Sequence, residues 1–356
     1  MPTPNDTKLF PPELQEAFSH ATEEEVFLFL CEAYTITNPP SQRAINLSTN
    51  FTDADLVQLC RFTSRDIVEI SAVLQLPPHF ETHSRYPFTR EEGFFLLCIR
   101  LASTSTLYKL ESITGYSRNH ISECTNWMLS WIFDHWDHLL QDFASGHLMH
   151  TRLQLFTCKI KEHGTPLPNV WGFIDCTIQP IARPMTWQRI CYNSHKTVHS
   201  LKYSAVKSPD GLIYHLFGPY EGRRNDNAQL NDSGLIKRCL QNAPSFCLYG
   251  DSAYPISSVL LSPFLKADLT AEERAWNVAM SARRECVEWG FADILRLWRH
   301  LTDKDNQRLL PRLLSQMYRV AVILTNIHTC LYGCQTTVYF NCPPPTLSAY
   351  LRPQSM

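Results

Sequence analysis

The chain has 356 residues, 44% of them hydrophobic and 19% charged, with a formal net charge of −2. Such a composition builds one large or two ordinary core-forming domains, and the near-neutral balance excludes a global basic field, so nucleic acid has to be met through local patches. Thirteen scattered cysteines without a C-x-x-C pair argue against a disulfide framework, and no uncharged apolar run is long enough for a signal h-region or a bilayer span.

Residues 1–50 read as a loosely ordered segment around a helical stretch near Pro12–Tyr34, closed by Pro39-Pro40. From Thr52 to Leu76 the period is helical, with Ile67, Ile70, Val73 and Leu74 on one face, Thr63 or Ser64 as N-cap and Pro77-Pro78 as a stop. Another helix is expected from Thr89 through Leu101. Thr106–Trp127 then reads as helix, Gly115-containing turn and helix, capped by Ser117, which is helix-turn-helix spacing. Arg118, Asn119 and His120 at the second helix start would offer donors to DNA; a plain helical hairpin is the alternative. Trp127, Trp131 and Trp136 fall roughly on one helical face and read as packing residues.

From Pro168 the pattern changes to strands: Val170–Ile181, His199–Lys207 and Leu212–Phe217, the last two joined by the turn Ser208-Pro209-Asp210-Gly211. A helix-compatible stretch, Asn227–Asn242, precedes a short strand Phe246–Tyr249. The order β-β-β-α-β, then an insert, then a helix around Glu288, is that of an RNase H-like α/β core with a mixed sheet, preceded here by an α-helical region. The expected organisation is therefore 1–50 as a loose N-terminal segment, 51–150 as a helical DNA-binding or dimerisation region, 165–335 as the catalytic domain and 336–356 as a tail. His328, Cys330, Cys334 and Cys342 have no usual zinc spacing and read as core.

Three carboxylates carry the chemistry. Asp175 lies in the first apolar strand, Asp251 follows the short one, and Glu288 stands one residue off the stripe Val287, Phe291, Ile294, Trp298 of its helix. Two strand carboxylates and one helix carboxylate meeting at a sheet edge can bind divalent cations for in-line phosphoryl transfer. Taken alone, such a triple also occurs as ordinary surface charge in a chain with 34 acidic residues. His195, Lys196, His199, Lys202, Arg223 and Arg224 make a local basic set for backbone phosphates, Arg284, one turn before Glu288, could meet another, and Asp226 reads either as a supporting carboxylate behind the site or as the partner of an arginine.

Five ordered blocks bear a family resemblance. Tyr192-Asn193-Ser194-His195-Lys196-Thr197-Val198-His199-Ser200-Leu201-Lys202 resembles the Y-x-G-H-K-x-x-H-x-L-K signature of Harbinger (PIF) transposases. Ser208–Ile213, Gly218–Asp226, Gly250–Pro255 and Arg283–Phe291 are similar to that family's S-P-D-G-L-I, G-P-x-x-G-R-x-H-D, G-D-x-x-Y-P and R-x-x-V-E-x-x-F blocks. The resemblance is strong over about 168–300 and weaker to the C-terminus. It implies a DDE-type endonuclease that cuts transposon ends and joins them to target DNA, with Asp175, Asp251 and Glu288 as catalytic metal ligands for Mg²⁺ or Mn²⁺, two ions in all. It also implies a nuclear location and a separate Myb-like DNA-binding partner; a homodimer is a further expectation. Cys176 and Ser194 stand where the family has Gly, and Asn225 where it has His. These departures keep a second reading open, a domesticated DNA- or protein-binding module without nuclease activity.

Overall fold

Capping chemistry decides where the helices of the N-terminal half begin. A computed structural model describes residues 50–141, 143, 146–308 and 311–352, so the expected loose segment lies, Asn50 apart, outside the described residues. Helices α1 (Asp53–Cys60), α2 (Ser64–Val73) and α3 (Arg90–Ala102) each start at a threonine, Thr52, Thr63 or Thr89, in a reciprocal capping box with Asp55, Asp66 or Glu92. The single helical run expected over 52–76 is broken at Arg61, which takes a left-handed conformation at φ 77°. A hairpin of β1 (His79–Glu81) and β2 (Pro87–Thr89), absent from the sequence reading, precedes α3. Then come α4 (Leu107–Thr114) and α5 (Arg118–Trp136), with Gly115 and Ser117 in the turn as expected, and α6 (His150–Glu162).

Strand β3 (Val170–Pro180) begins the sheet. After it come the four-residue helix α7 (Gln188–Cys191), β4 (Tyr192–Asn193), β5 (Val198–Lys207) and β6 (Ile213–Glu221). Gly211 turns the chain between β5 and β6 at φ 80°, the positive φ that its turn position requires. The helical stretch expected over 227–242 is two helices, α8 (Asp226–Ser233) and α9 (Leu235–Asn242), because Gly234 between them is left-handed at φ 67°. Strands β7 (Cys247–Tyr249) and β8 (Leu260–Leu261) follow, then α10 (Ala271–Leu297), α11 (Pro311–Tyr332), α12 (Gln335–Tyr339) and α13 (Leu347–Tyr350).

Across the main sheet the order is β6-β5-β3-β7-β8, with β4 added beside the start of β5. β6, β5 and β3 run antiparallel, while β3, β7 and β8 run parallel. This six-stranded mixed sheet within an α/β chain is the RNase H-like fold class expected from the sequence. The two-residue β8 lies in what read as an insert; too few residues carry it for a period to be visible.

One apolar core runs from Leu56 to Leu351. Residues 336–352, read as a tail, supply α12 and α13, and Tyr350 is fully buried with its hydroxyl accepting from Asn326 Nδ2 at 2.9 Å. Asn326 also bonds both backbone groups of Ile213, so α11, β6 and α13 share one buried amide. Arg61 joins the helical half to α10. Its guanidinium donates to Gln58 O (2.7 Å), Ala102 O (3.2 Å) and Leu297 O (3.1 Å), carbonyls at the C-terminal ends of α1, α3 and α10. A cation is favoured there because unsatisfied carbonyls carry the negative end of each helix. Arg61→Met is expected to cost about 2–3 kcal/mol, read as a lower urea midpoint with unchanged m; an unaltered midpoint would show that the three carbonyls are satisfied equally well by water.

Candidate active site

Pairing brings the two aspartates together. In the parallel pair, Phe173 lies opposite Tyr249, and Asp175 and Asp251 each follow two residues later. Adjacent strands lie ~4.8 Å apart, so the carboxylates leave the sheet side by side. Helix α10 crosses the face of β3 that carries Phe173 and Asp175, and its Arg284 reaches down to the strand. Arg284 Nη1 donates to Asp175 Oδ2 at 2.8 Å and Nη2 to Glu288 Oε1 at 2.8 Å. Glu288 is exposed, one position from the buried Val287 and two from the buried Gly290, at the core border that its spacing predicts. Asp251 is half-buried and accepts from its own loop, Ala253 N–H, at 2.9 Å.

Charge balance is the governing quantity. Burial pushes the Asp175 carboxyl up to about 6; Arg284 and the Cys176 N–H pull it down, and the charges of Asp251 and Glu288 push it up again. Burial works against the Arg284 cation, but Asp175, Glu288 and Asp251 together outweigh it and raise its pKa. The three predicted carboxylates therefore act on one another and on a single guanidinium. Among the described residues no three His, Cys, Asp or Glu side chains are spaced as a finished metal cage. The donor chemistry nonetheless suits a hard divalent cation: every candidate ligand is a carboxylate oxygen, and a positive charge already sits between them.

The opposite face of β3 carries a polar cluster that the sequence reading passed over. Side chains alternate along a strand, so Cys176 points away from Asp175, and its thiol lies 3.4 Å from Gln229 Oε1 and 3.2 Å from Tyr254 Oη. Burial, with the Asp226 charge adding, pushes that thiol up to about 12, so it stays protonated as a hydrogen-bonding group. Tyr254 lies in one of the quoted blocks, Gly250–Pro255, and that was the available signal; Gln229 offered none.

The basic residues separate into two groups. His195 and Lys196 are exposed between β4 and β5, and Arg223 and Arg224 are exposed just past β6. Arg224 pairs with Glu221 (3.3 Å) and Asp232 (3.6 Å), and His199 is half-buried with its ring 5.3 Å from Tyr192. Lys202 departs from the expectation of a phosphate contact. It is 7% exposed, and its ammonium is bonded to Asp226 and to Arg224 O. Asp226, expected to support the carboxylates, thus serves Lys202. Arg284, expected to meet a phosphate, is held by Asp175 and Glu288. In the helical half His120 stacks on Tyr86 with centroids 3.9 Å apart, and Arg118 pairs with Glu111 at 3.3 Å, leaving Asn119 exposed beside them.

Residues 174–326 match the family model described as DDE superfamily endonuclease; no curated protein and no solved structure matches the chain. The matched stretch opens one residue before Asp175 and includes Asp251, Arg284 and Glu288. It is a DDE superfamily endonuclease domain.

Asp175 is an acid whose folded pKa, about 6, lies above its ordinary value of 3.8. Its charge costs nothing below about pH 4, and the cost grows with pH until it is complete above about 6. Asp175→Asn is expected to gain up to about 3 kcal/mol at pH 7 in EDTA and little at pH 4, measured by urea unfolding; an equal gain at both values would contradict a buried charge. Arg284→Met leaves the carboxylates without their cation. Its Tm is expected to fall in EDTA and to recover in Mn²⁺ by more than the parent gains.

Proposed function

We propose that this endonuclease domain makes the chain a DNA-cutting and strand-joining transposase of the Harbinger type, with Asp175, Asp251 and Glu288 as its catalytic carboxylates. The observation that carries this reading is the meeting of the three, from β3, the end of β7 and α10, around one positive charge. These side chains would hold Mg²⁺ or Mn²⁺, two ions in all. Such ions, when bound, supply the Lewis-acid charge that displacement at phosphorus demands.

The chain's own groups have separable tasks. Asp175 and Asp251 fix positions through strand register, and Glu288 adds a carboxylate from the solvent side. Arg284 balances them, and once its partners are engaged elsewhere its guanidinium is free to pair with a DNA phosphate. Cys176, Gln229 and Tyr254 brace β3 from the other face.

Charge distribution divides the labour further. Residues 1–150 hold 9 Lys and Arg against 19 Asp and Glu, whereas residues 151–356 hold 23 against 15, or −10 and +8. Phosphate contact is therefore assigned to the nuclease half. The helical region, 51–150, fits better as a surface for a second copy or for a basic partner such as a Myb-like DNA-binding protein. A nuclear location goes with this reading.

One observation favours the alternative of a DNA- or protein-binding module without nuclease activity. Arg284 already pairs with both Asp175 and Glu288, so part of the site's negative charge is balanced without a metal ion. Nicking of supercoiled DNA by the purified chain in Mg²⁺ or Mn²⁺ separates the two. Nicking that requires the metal and vanishes in Asp175→Asn and Glu288→Gln is expected. DNA binding without nicking, and no rise in Tm with either metal, would establish the binding module instead.

A further inference from the structure

The loop that joins β3 to β5, residues 181–197, is firmly held yet presents its apolar side chains outward. Ile181 N–H donates to His199 O (2.9 Å), Ala182 N–H to Gln307 O (3.0 Å), Arg223 N–H to Ile190 O (3.1 Å) and Asn193 Nδ2 to Gly222 O (2.9 Å). Pro184 and Cys191 are buried beneath it. On this pinned base Met185 is 98% exposed, Trp187 59%, Ile190 38% and Tyr192 40%. Of the fifteen large hydrophobics exposed among the described residues, four fall within these eight positions. Trp187 also sits at φ 61°, a conformation unfavourable for any residue with a side chain. An exposed cluster combined with backbone strain marks a contact surface.

Its charge identifies the partner. Between Asp175 and Asp210 the sequence has no acidic residue, while Arg183, Arg189 and Lys196 lie in the loop and Arg223 is bonded to it. Aromatic faces set among four cations that form no ion pair among the described residues, with the Glu221 charge reaching the loop at Cys191, suit nucleic-acid bases flanked by phosphates. Position agrees: Pro180 lies five residues beyond Asp175 on the same strand, about 17 Å away at ~3.3 Å per residue, a span of about five nucleotides at 3.4 Å each.

We propose that this loop is a DNA prong, in which Trp187 stacks on an unpaired or displaced base several nucleotides from the cut while Arg183, Arg189, Lys196 and Arg223 hold the adjoining phosphates. The proposal rests on reading the chain as a DNA enzyme, and its test needs no cleavage. Full-length protein in EDTA is titrated into fluorescein-labelled DNA of two kinds, a blunt duplex and a fork with single-stranded arms, and anisotropy is recorded. The fork is expected to bind more tightly than the duplex. Trp187→Ala should lose about tenfold or more on the fork and less than about twofold on the duplex, Trp187→Phe should keep most of the preference, and Arg189→Ala should weaken both and flatten the salt dependence. Because Trp187 is exposed, an unchanged Tm certifies the variant fold. Equal fork binding by parent and Trp187→Ala overturns the prong and leaves the DNA reading standing. Loss of self-association in Trp187→Ala with DNA binding unchanged overturns it in favour of a contact between copies. No binding of either DNA by the parent overturns the DNA reading and the prong together.

Discussion

Strand β3 is the constraint on which the rest of the molecule depends. It is paired along both edges, antiparallel to β5 and parallel to β7. A slip of one residue in either register would turn its side chains over, sending Asp175 to the wrong face and Cys176 to the right one. The apolar run Val170–Ile174, buried on both faces, resists such a slip because it would press Trp171 or Phe173 into the space at Gly172, where even a Cβ would lie 3.1 Å from Lys207 O. The placement of the Asp175 carboxylate is thus a by-product of packing.

A second constraint is electrostatic. Three carboxylates placed at one sheet edge repel one another, and the fold tolerates them because α10 delivers Arg284 into their midst. The same long helix packs Val287 and Ile294 into the core and is tied at its C-terminal end to Arg61 of the helical half. The position of the cation is therefore coupled through one rigid element to a region far away in sequence.

Charge divides the chain into two unlike parts along its sequence. The acidic excess of residues 1–150 repels a phosphate backbone, while the basic excess of the remainder attracts it. A near-zero total conceals that division. The β3–β5 loop lies within the basic part and, among the described residues, carries the densest group of exposed large hydrophobic side chains on a backbone pinned by hydrogen bonds. Preorganised aromatic surface of that kind favours binding by sparing the cost of ordering.

Much of this was legible in the chain itself. Threonine caps, the Ser208–Gly211 turn, strand patterning from Val170 and the ordered blocks around Asp175, Asp251 and Glu288 are local in sequence and read directly as α/β elements carrying carboxylates. Less legible were features decided by partners distant in the chain. Lys202 looked like one more surface cation, but strand pairing and the turn after β6 bring Asp226 against it and close it off. For Arg284 nothing local in the chain announced that α10, laid across β3, would bring it against Asp175 as well as Glu288. Residues 336–352 looked like a tail because nothing local announces that Tyr350 meets Asn326. The sequence by itself determined most of the longer elements, their order and which acidic residues they carry, since periodicity, capping and turn chemistry act over a few neighbouring positions. Only the tertiary structure decided which charges meet and which side chains remain in water, because ion pairing and burial depend on distances that chain connectivity does not set.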